Sequence, residues 1–167
     1  MEIREARPEE YEELGDVVAL AYAPYGSSDD QGWIGHLDLV RDVAGRAART
    51  VVLAAVEDGQ VVGSATIELF DVIGDDDREL PPGWAFLRMV GVRPDTQGRG
   101  IGRALVEDVI ARARAARKRW LGLRTTPQME AAHRLYESLG FVRDASLDDP
   151  LEGDYSLLGY RLDLSGA

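Results

Sequence analysis

The sequence contains one short segment whose residue types suit the binding of an anion, Gln97-Gly98-Arg99-Gly100-Ile101-Gly102. It joins an apolar run, Trp84 to Val92, to an amphipathic run, Ile101 to Arg117, and this pattern predicts a strand, a glycine-rich turn and a helix. The first amides of a helix lack internal partners, and the helix dipole makes that end positive. Glycines permit positive φ and keep Cβ atoms away. The segment therefore predicts a phosphate-binding turn.

Two common phosphate-binding motifs do not fit this segment. A P-loop needs Lys followed by Ser or Thr after the glycines, and the chain has neither there. The dinucleotide motif G-x-G-x-x-G fails because position 103 is Arg103. About twenty residues further on, where that motif needs an acid, the chain reads Arg119-Trp120-Leu121.

The segment does match Gln/Arg-x-x-Gly-x-Gly/Ala, the pyrophosphate motif of the GCN5-related N-acetyltransferases. Thirty residues on, Ala132-His133-Arg134-Leu135-Tyr136-Glu137-Ser138-Leu139-Gly140-Phe141 matches the second signature of that family, A-x-x-L-Y-x-x-x-G-F. The chain therefore resembles the GNAT family, best between Val51 and Val142.

Hydrophobic periodicity predicts the element order β-α-α-β-β-β-α-β-α-β-β in a single domain, 1–167. The predicted strands are Ile3–Ala6, Thr50–Val56, Val61–Phe70, Trp84–Val92, Trp120–Arg124, one beginning at Phe141, and Tyr155–Leu164. The predicted helices are Pro8–Ala21, Trp33–Ala44, Ile101–Arg117, and one that opens at Thr126-Pro127 and ends at Gly140. We expect loops at Pro24–Gly32 and Val72–Gly83, a tight hairpin turn at Asp58-Gly59, and a bulge or close backbone approach at Gly91.

The resemblance implies an α/β fold, a twisted mixed sheet of about seven strands with about four flanking helices. That sheet is splayed between its fourth and fifth strands, where coenzyme A enters. Acetyl-CoA is the implied cofactor, with its pyrophosphate on the glycine turn and its pantetheine on the main chain of Val90 to Val92, whose side chains we expect in the core. An amide near Val90 would polarise the thioester carbonyl.

The predicted cofactor-binding residues are Met89, Val90, Val92, Gln97, Gly98, Arg99, Gly100, Ile101, Gly102 and Arg103. We expect Arg93, Arg99 and Arg103 to offset the acidic charge of the chain around this turn.

The resemblance places Tyr136 at the position whose hydroxyl approaches the thioester sulfur. A phenol, with a pKa of about 10, is a fitting proton donor to a departing thiolate, whose conjugate thiol has a pKa of about 8.5. We therefore predict Tyr136 as the general acid. The alternative is an aromatic side chain that packs on the helix face with His133 and Leu139.

The general base is not evident. Some family members carry Glu on the fourth strand, and the register against Gln97 places that position at Phe86, which cannot take a proton. The alternatives are Glu68, an acid of the Asp75–Glu79 loop, His36, or a water chain. Many relatives also carry Asn where this chain has Met129, which removes a contact to the cofactor; we expect Thr126 to cap that helix instead.

In the family, the acceptor cleft lies near the first two helices and the connection between the third and fourth strands. The candidate substrate residues are Tyr25, Trp33, His36, Glu68 and Trp84, with Tyr22, Asp29, Asp30 and Asp75 to Asp77 in the same regions. Aromatic rings with carboxylates favour a cationic amine. Solvated acids and core aromatics are the alternative for each residue.

Composition limits the other possibilities. The chain has 167 residues, no Cys, His36 and His133 as its histidines, and a net charge of −11. These properties indicate one domain, no disulfide and no metal site. The acidic charge disfavours nucleic acid and anionic membranes. Met1 to Glu5 is too polar for a signal peptide and no apolar run has membrane-spanning length, so we expect a cytoplasmic protein. A homodimer would be common among such proteins.

The sequence therefore predicts an acetyl-CoA-dependent N-acetyltransferase that acts on a primary amine by direct attack. Two alternatives belong to other classes. One is a catalytically silent acyl-CoA-binding sensor, which the missing strand-four Glu favours. The other is a phosphate- or nucleotide-binding domain of a different fold, which the glycine turn alone would allow.

Overall fold

The computed structural model describes residues 1–70, 72–73, 78–150 and 156–166. The helices of this part of the chain are α1 (Tyr11–Tyr22), α2 (Gln31–Arg41), α3 (Val43–Ala47), α4 (Ile101–Ala115) and α5 (Glu130–Ser138). The strands are β1 (Glu2–Glu5), β2 (Val51–Glu57), β3 (Gln60–Glu68), β4 (Val72–Ile73), β5 (Arg78–Glu79), β6 (Trp84–Val92), β7 (Trp120–Thr125), β8 (Val142–Arg143), β9 (Asp149–Pro150) and β10 (Ser156–Asp163). Single 3₁₀ turns lie at Pro8–Glu10, Ala23–Tyr25, Pro94–Thr96 and Ala145–Leu147.

The chain divides into two compact units, and β6 and α4 contribute to both. The first unit comprises residues 1–67 and 89–109, and its strands follow the order β1-β2-β3-β6. The second comprises residues 68–88 and 110–167, with the order β6-β7-β10-β8 and the short pairs β4-β5 and β9-β10. Parallel β6–β7 and antiparallel β7–β10 pairing make the sheet mixed, which confirms the predicted fold class. The prediction of a single domain stays a prediction.

The parallel pairing of β6 with β7 is short. It runs through four Cα pairs, from Trp84–Trp120 to Leu87–Leu123, although β6 itself continues from Arg88 to Val92. The fourth and fifth predicted strands therefore pair only over the first part of β6. Backbone groups after Leu87 lie beyond this ladder, at the position where the sequence predicts a splay.

The β2–β3 hairpin confirms the tight turn predicted at Asp58-Gly59. Asp58 and Gly59 both have positive φ, 50° and 78°, as a type I′ turn requires. Asp tolerates this conformation better than most residues, and glycine adopts it freely. The register shifts between Ala55 and Val56, so the ladder carries an irregularity next to the turn.

The predicted helix Trp33–Ala44 is two helices, and this boundary prediction was wrong. Asp42, with φ −77° and ψ 64°, ends α2, and its carboxylate accepts a hydrogen bond from the Gly45 amide at 3.0 Å to cap α3. The start of α2 also lies earlier than predicted. Asp30 caps it by accepting hydrogen bonds from the Gly32 and Trp33 amides at 2.9 and 3.3 Å.

The predicted cap at Thr126 was also wrong. Helix α5 begins at Glu130 after Met129, and no side chain caps it. The Thr126 carbonyl accepts a hydrogen bond from the Met129 amide at 3.2 Å, so a separate turn intervenes before the helix. The Thr126 hydroxyl is buried and has no hydrogen-bond partner. At the other end of α5, Gly140 has φ +96°, which confirms the predicted left-handed cap.

The segment Val72–Gly83 is not wholly a loop. Val72–Ile73 pairs with Arg78–Glu79 as a two-stranded ribbon, whereas residue 71 and residues 74–77 lie outside the described residues. The preceding strand β3 ends at Glu68, before the predicted end at Phe70.

The core of the first unit forms where α1 and α3 pack on β2 and β3. Its buried side chains are Leu14, Val17, Val43, Val52, Ala54 and Val61. Arg46 is buried beside them with its guanidinium fully engaged. It donates hydrogen bonds to the carbonyls of Leu39 and Val40 at 2.7 and 2.8 Å and to the Thr66 hydroxyl at 3.2 Å. These bonds satisfy the C-terminal carbonyls of α2, which lack partners within the helix.

Helix α4 buries the apolar face that the sequence predicts. Ile101, Leu105, Val109, Ile110 and Ala113 are all buried. Gly91 of β6 confirms the predicted close backbone approach, because a Cβ atom there would lie 2.9 Å from the Val18 Cα of α1.

We predict that Gly91→Ala lowers the free energy of unfolding by about 2 kcal/mol, because backbone atoms of α1 must move to admit the methyl group. Gly35→Ala is the control. Gly35 lies in α2 with no atom near its Cβ direction, so Ala there should be neutral or stabilising. Urea denaturation of both variants measures the difference, and equal midpoints would contradict the close approach.

A second prediction concerns acid stability. Arg4 donates two hydrogen bonds to Glu10, at 2.9 and 2.5 Å, and together with the Arg7 amide it lowers the pKa of Glu10 to about 2 from an ordinary 4.5. A depressed pKa stabilises the fold above pH 4.5, and the stabilisation is lost as the pH falls toward 2. Glu10→Gln should therefore have a lower free energy of unfolding than the native chain at pH 6. The difference in this free energy between the two chains should narrow at pH 3. Exposed Glu12→Gln should show little difference at either pH.

Candidate active site

The glycine turn adopts the conformation for which its glycines are needed. Gly98 and Gly100 have φ values of +80° and +83°, whereas Gly102 belongs to α4 and is not among the residues with positive φ. Apart from each glycine and its two chain neighbours, no atom lies within 4 Å of a Cβ built on Gly98 or Gly100. The turn therefore faces open space at both positions, and residues 97–100 are exposed.

The start of α4 supplies backbone donors next to this turn. The Ala104 amide donates to the Gly100 carbonyl at 3.0 Å, and the amides of Ile101, Gly102 and Arg103 precede that bond. Such amides have no acceptor four residues back within the helix, and they lie at the positive end of its dipole. Exposed glycines and helix-start amides fit an anionic group of phosphate size.

The arginines around the turn all have carboxylate partners. The Arg99 Nη2 lies 2.6 Å from Glu57, the Arg93 Nε lies 2.6 Å from Asp95, and the Arg103 Nη1 lies 3.5 Å from Glu107. Their charges are thus locally matched. The helix start adds partial positive charge of its own at the turn, because its amides lie at the positive end of the helix dipole.

The last part of β6 departs from regular strand geometry. Met89 has φ +54°, an uncommon value for a residue with a side chain, and it packs on Val18, Ala19 and Val40. Val90 and Val92 are half-buried, so the prediction that they are core residues holds only in part. This irregular backbone conformation lies within β6, at the residues predicted to offer main-chain groups to a ligand.

Tyr136 lies on α5 and is 7% exposed. Its ring centroid is 5.6 Å from that of Phe141 and 6.5 Å from that of Tyr160. His133, one of the two neighbours expected for a packing role, also contacts the Tyr160 ring, at a centroid distance of 5.8 Å, and the catalytic role of Tyr136 stays a prediction. The Tyr160 hydroxyl donates to Glu137 at 3.4 Å, and burial with the nearby Glu137 carboxylate raises the pKa of Tyr160.

An aromatic ring fills the position at which some relatives carry a glutamate. Phe86 is 3% exposed and pairs in register with Gly122 of β7. A Cβ at Gly122 would lie 2.6 Å from the Phe86 ring, so the ring occupies the space that a side chain would need. The Arg124 guanidinium carbon lies 5.0 Å from the centre of the same ring. This position on β6 therefore offers no group that takes a proton.

The candidate base Glu68 is engaged elsewhere. Its carboxylate is fully buried and lies 3.1 Å from the Arg88 Nη1. This contact with Arg88 already engages the carboxylate. Of the Asp75–Glu79 acids, Asp75 to Asp77 lie outside the described residues, whereas Glu79 is exposed in β5. His36 is exposed and contacts the rings of Tyr22 and Trp33.

The substrate candidates fall into separate groups. Trp33 and His36 of α2 meet Tyr22 of α1, with ring centroids 5.5 Å apart for Trp33–His36 and 6.3 Å apart for Tyr22–His36. Tyr25, in the turn after α1, is 36% exposed, and Asp30 is used as a helix cap.

Trp84 instead stacks on Trp120 in the second unit, with a centroid distance of 5.8 Å. The guanidinium carbons of Arg119 and Arg161 lie 5.1 and 5.3 Å from the Trp120 ring. Sequence reasoning missed Tyr160, Gly122 and the Glu68–Arg88 pair, because their partners are distant along the chain.

Within the part of the chain that the structure describes, no helix is long and apolar enough to cross a membrane.

Comparison with known proteins agrees with this geometry. A segment of 54 residues is 48% identical to the mycothiol acetyltransferase of Nocardiopsis dassonvillei, and it covers 32% of this chain and 16% of that protein. The putative acetyltransferase yncA from Salmonella typhimurium, solved with its cofactor acetyl-CoA, superposes with a TM-score of 0.71 and 25% identity over 98% of this chain and 93% of that one. A GNAT family acetyltransferase from Brucella melitensis in complex with acetyl-CoA superposes with a TM-score of 0.61 and 27% identity, over 94% of this chain and 86% of that one.

The sequence also matches a family as a whole. Residues 5–141 match the Acetyltransferase (GNAT) family, and this range includes the glycine turn, α4, β7 and Tyr136. The chain therefore belongs to the acetyltransferase (GNAT) family.

Proposed function

We propose that this protein transfers the acetyl group of acetyl-CoA directly to a primary amine of a small molecule, peptide or protein. The observation that carries the proposal is the open glycine turn at the start of α4, with positive φ at Gly98 and Gly100, in a chain of the acetyltransferase family. Two relatives of similar fold were solved with acetyl-CoA.

The donor would be held by main-chain groups. The amides from Gln97 to Arg103 are suited to the diphosphate, because they combine exposed glycines with the positive end of the α4 dipole. Met89, Val90 and Val92 would offer main-chain groups to the pantetheine amides, since they follow the last β6–β7 pair. The paired state of Arg93, Arg99 and Arg103 supports a lesser role for these side chains.

Tyr136 would act as the general acid. In the transfer, the amine nitrogen forms a bond to the acetyl carbon, the carbon–sulfur bond breaks, and the sulfur receives a proton. The amine nitrogen loses one proton as it becomes an amide. The Tyr136 phenol would supply the proton to sulfur, which is a role of general acid catalysis. Its burial against Phe141 and Tyr160 supports a fixed orientation.

The proton lost by the amine would leave through water. Phe86 occupies the position of the family carboxylate, and Glu68 is paired with Arg88, so neither is suited to remove it. A cationic amine remains the preferred acceptor class. The exposed His36 and Tyr25 with half-buried Trp33 support this choice, because aromatic faces attract cations.

We predict that Gly100→Ala weakens the binding of coenzyme A at least tenfold, because the residue must leave positive φ and its Cβ enters the space before the amides. Gly83→Ala is the matched control. Gly83 has the same φ of +83°, so the strain is equal, but Gly83 lies before β6. Isothermal titration of both variants with coenzyme A measures the affinity. An equal loss in both would contradict the diphosphate site.

We also predict that Tyr136→Phe lowers kcat about 100-fold and changes the KM for acetyl-CoA less than twofold. Thiol release with a panel of polyamines, aminoglycosides, amino acids and peptide amino termini measures the rate. Tyr11→Phe, on α1, removes a hydroxyl from a partly buried tyrosine outside the proposed site and should be neutral. Binding of acetyl-CoA without thiol release for any amine would favour the silent sensor.

A further inference from the structure

Helix α5 carries Tyr136, yet its first turn has no side-chain cap. Met129 precedes the helix and provides no acceptor, and the Thr126 hydroxyl has no hydrogen-bond partner. A helix start usually gains stability and a defined orientation from such a cap. The direction of α5 therefore depends on other contacts between this helix and the end of β7.

One side chain makes such a contact. The Nε2 of His133 lies 2.9 Å from the Thr126 carbonyl oxygen. A carbonyl oxygen only accepts, so Nε2 carries the hydrogen and donates it. The same oxygen accepts the Met129 amide at 3.2 Å. The imidazole thus closes the turn between β7 and α5 from inside the first turns of the helix.

His133 and Tyr136 lie three residues apart on α5 and share a face. Both rings contact Tyr160 of β10, with centroid distances of 5.8 Å for His133 and 6.5 Å for Tyr136. Ring packing on Tyr160 limits how closely the helix approaches the sheet, but it is not directional. The bond from His133 to Thr126 adds a directional constraint, which fixes the rotation of α5 about its axis.

We infer that His133 is a positioning residue for Tyr136, which it orients by anchoring α5 to the Thr126 carbonyl. This inference rests on the proposed function, in which the Tyr136 hydroxyl delivers a proton. Small displacements of a proton donor reduce the rate of transfer while ground-state binding of the donor molecule is retained. The expected effect of losing the anchor is therefore on kcat.

Two substitutions separate the hydrogen bond from the packing of the ring. His133→Phe keeps a ring against Tyr160 and removes the donor, so we expect kcat to fall about tenfold with the KM for acetyl-CoA unchanged. His133→Gln places an amide donor near the position of Nε2 and removes the ring, so it should retain kcat within about threefold. A loss of activity that follows the ring instead of the donor would overturn the inference.

A double-mutant cycle with Tyr136→Phe is the decisive experiment. If His133 acts through the Tyr136 hydroxyl, His133→Phe should lower kcat about tenfold in the native chain. In the Tyr136→Phe background it should lower kcat no further. Equal costs in both backgrounds would overturn the inference and leave the proposed function intact. No effect of Tyr136→Phe alone would instead overturn the role of Tyr136 itself, and with it this inference.

The comparison requires folded variants, so thermal unfolding of each is measured first. Should His133→Phe fail to fold, His133→Leu replaces it, since the smaller side chain also lacks a donor. The cycle then compares variants of similar unfolding midpoint. A loss of stability would lower the activity in both backgrounds, whereas the expected result is a loss in the native background only.

Discussion

The start of α4, where the first backbone amides have no acceptor four residues back within their own helix, is the feature on which the proposed donor site depends. The Gly100 carbonyl takes the first amide of the ladder, that of Ala104, and the three preceding amides have no carbonyl of their own helix to bind. Because Gly98 and Gly100 hold positive φ, no side chain fills the space before those amides. We propose that an anionic donor molecule binds there.

The strand before this turn prepares the second part of the donor site. The β6–β7 ladder ends at Leu87, and Met89 takes a positive φ that a strand does not otherwise contain. The cost of this conformation is about 1–3 kcal/mol in general, and it persists where packing determines it. Val18, Ala19 and Val40 provide that packing around the Met89 side chain. The strain is thus held by the core of the first unit.

The position of the family carboxylate shows how one substitution reaches across a sheet. The Phe86 ring occupies the space over Gly122, its partner in the neighbouring strand. A side chain at position 122 would collide with this ring, so glycine fits there. The nearby carboxylate of Glu68 lies 3.1 Å from Arg88 Nη1, in an ion pair. We therefore associate this chain with a transfer in which Tyr136 gives a proton and water removes one.

The sequence by itself determined what depends on a few neighbouring residues. The glycine turn, the Asp58-Gly59 hairpin and the left-handed Gly140 were predictable, because positive φ strongly favours glycine or a short acid. The buried face of α4 followed from the helical period. Family membership followed from two spaced motifs, and residues 5–141 confirm it.

Tertiary structure decided which polar groups find partners. Asp42 divides the predicted second helix, and its carboxylate accepts the Gly45 amide of the following helix. Thr126 does not cap α5, because a turn separates it from the helix start at Glu130. Glu68 meets Arg88 twenty positions away, and His133 meets a carbonyl at the end of the preceding strand. Hydrogen bonds and ion pairs depend on distance and angle between atoms that the fold brings together, and residue types along the chain do not specify these quantities.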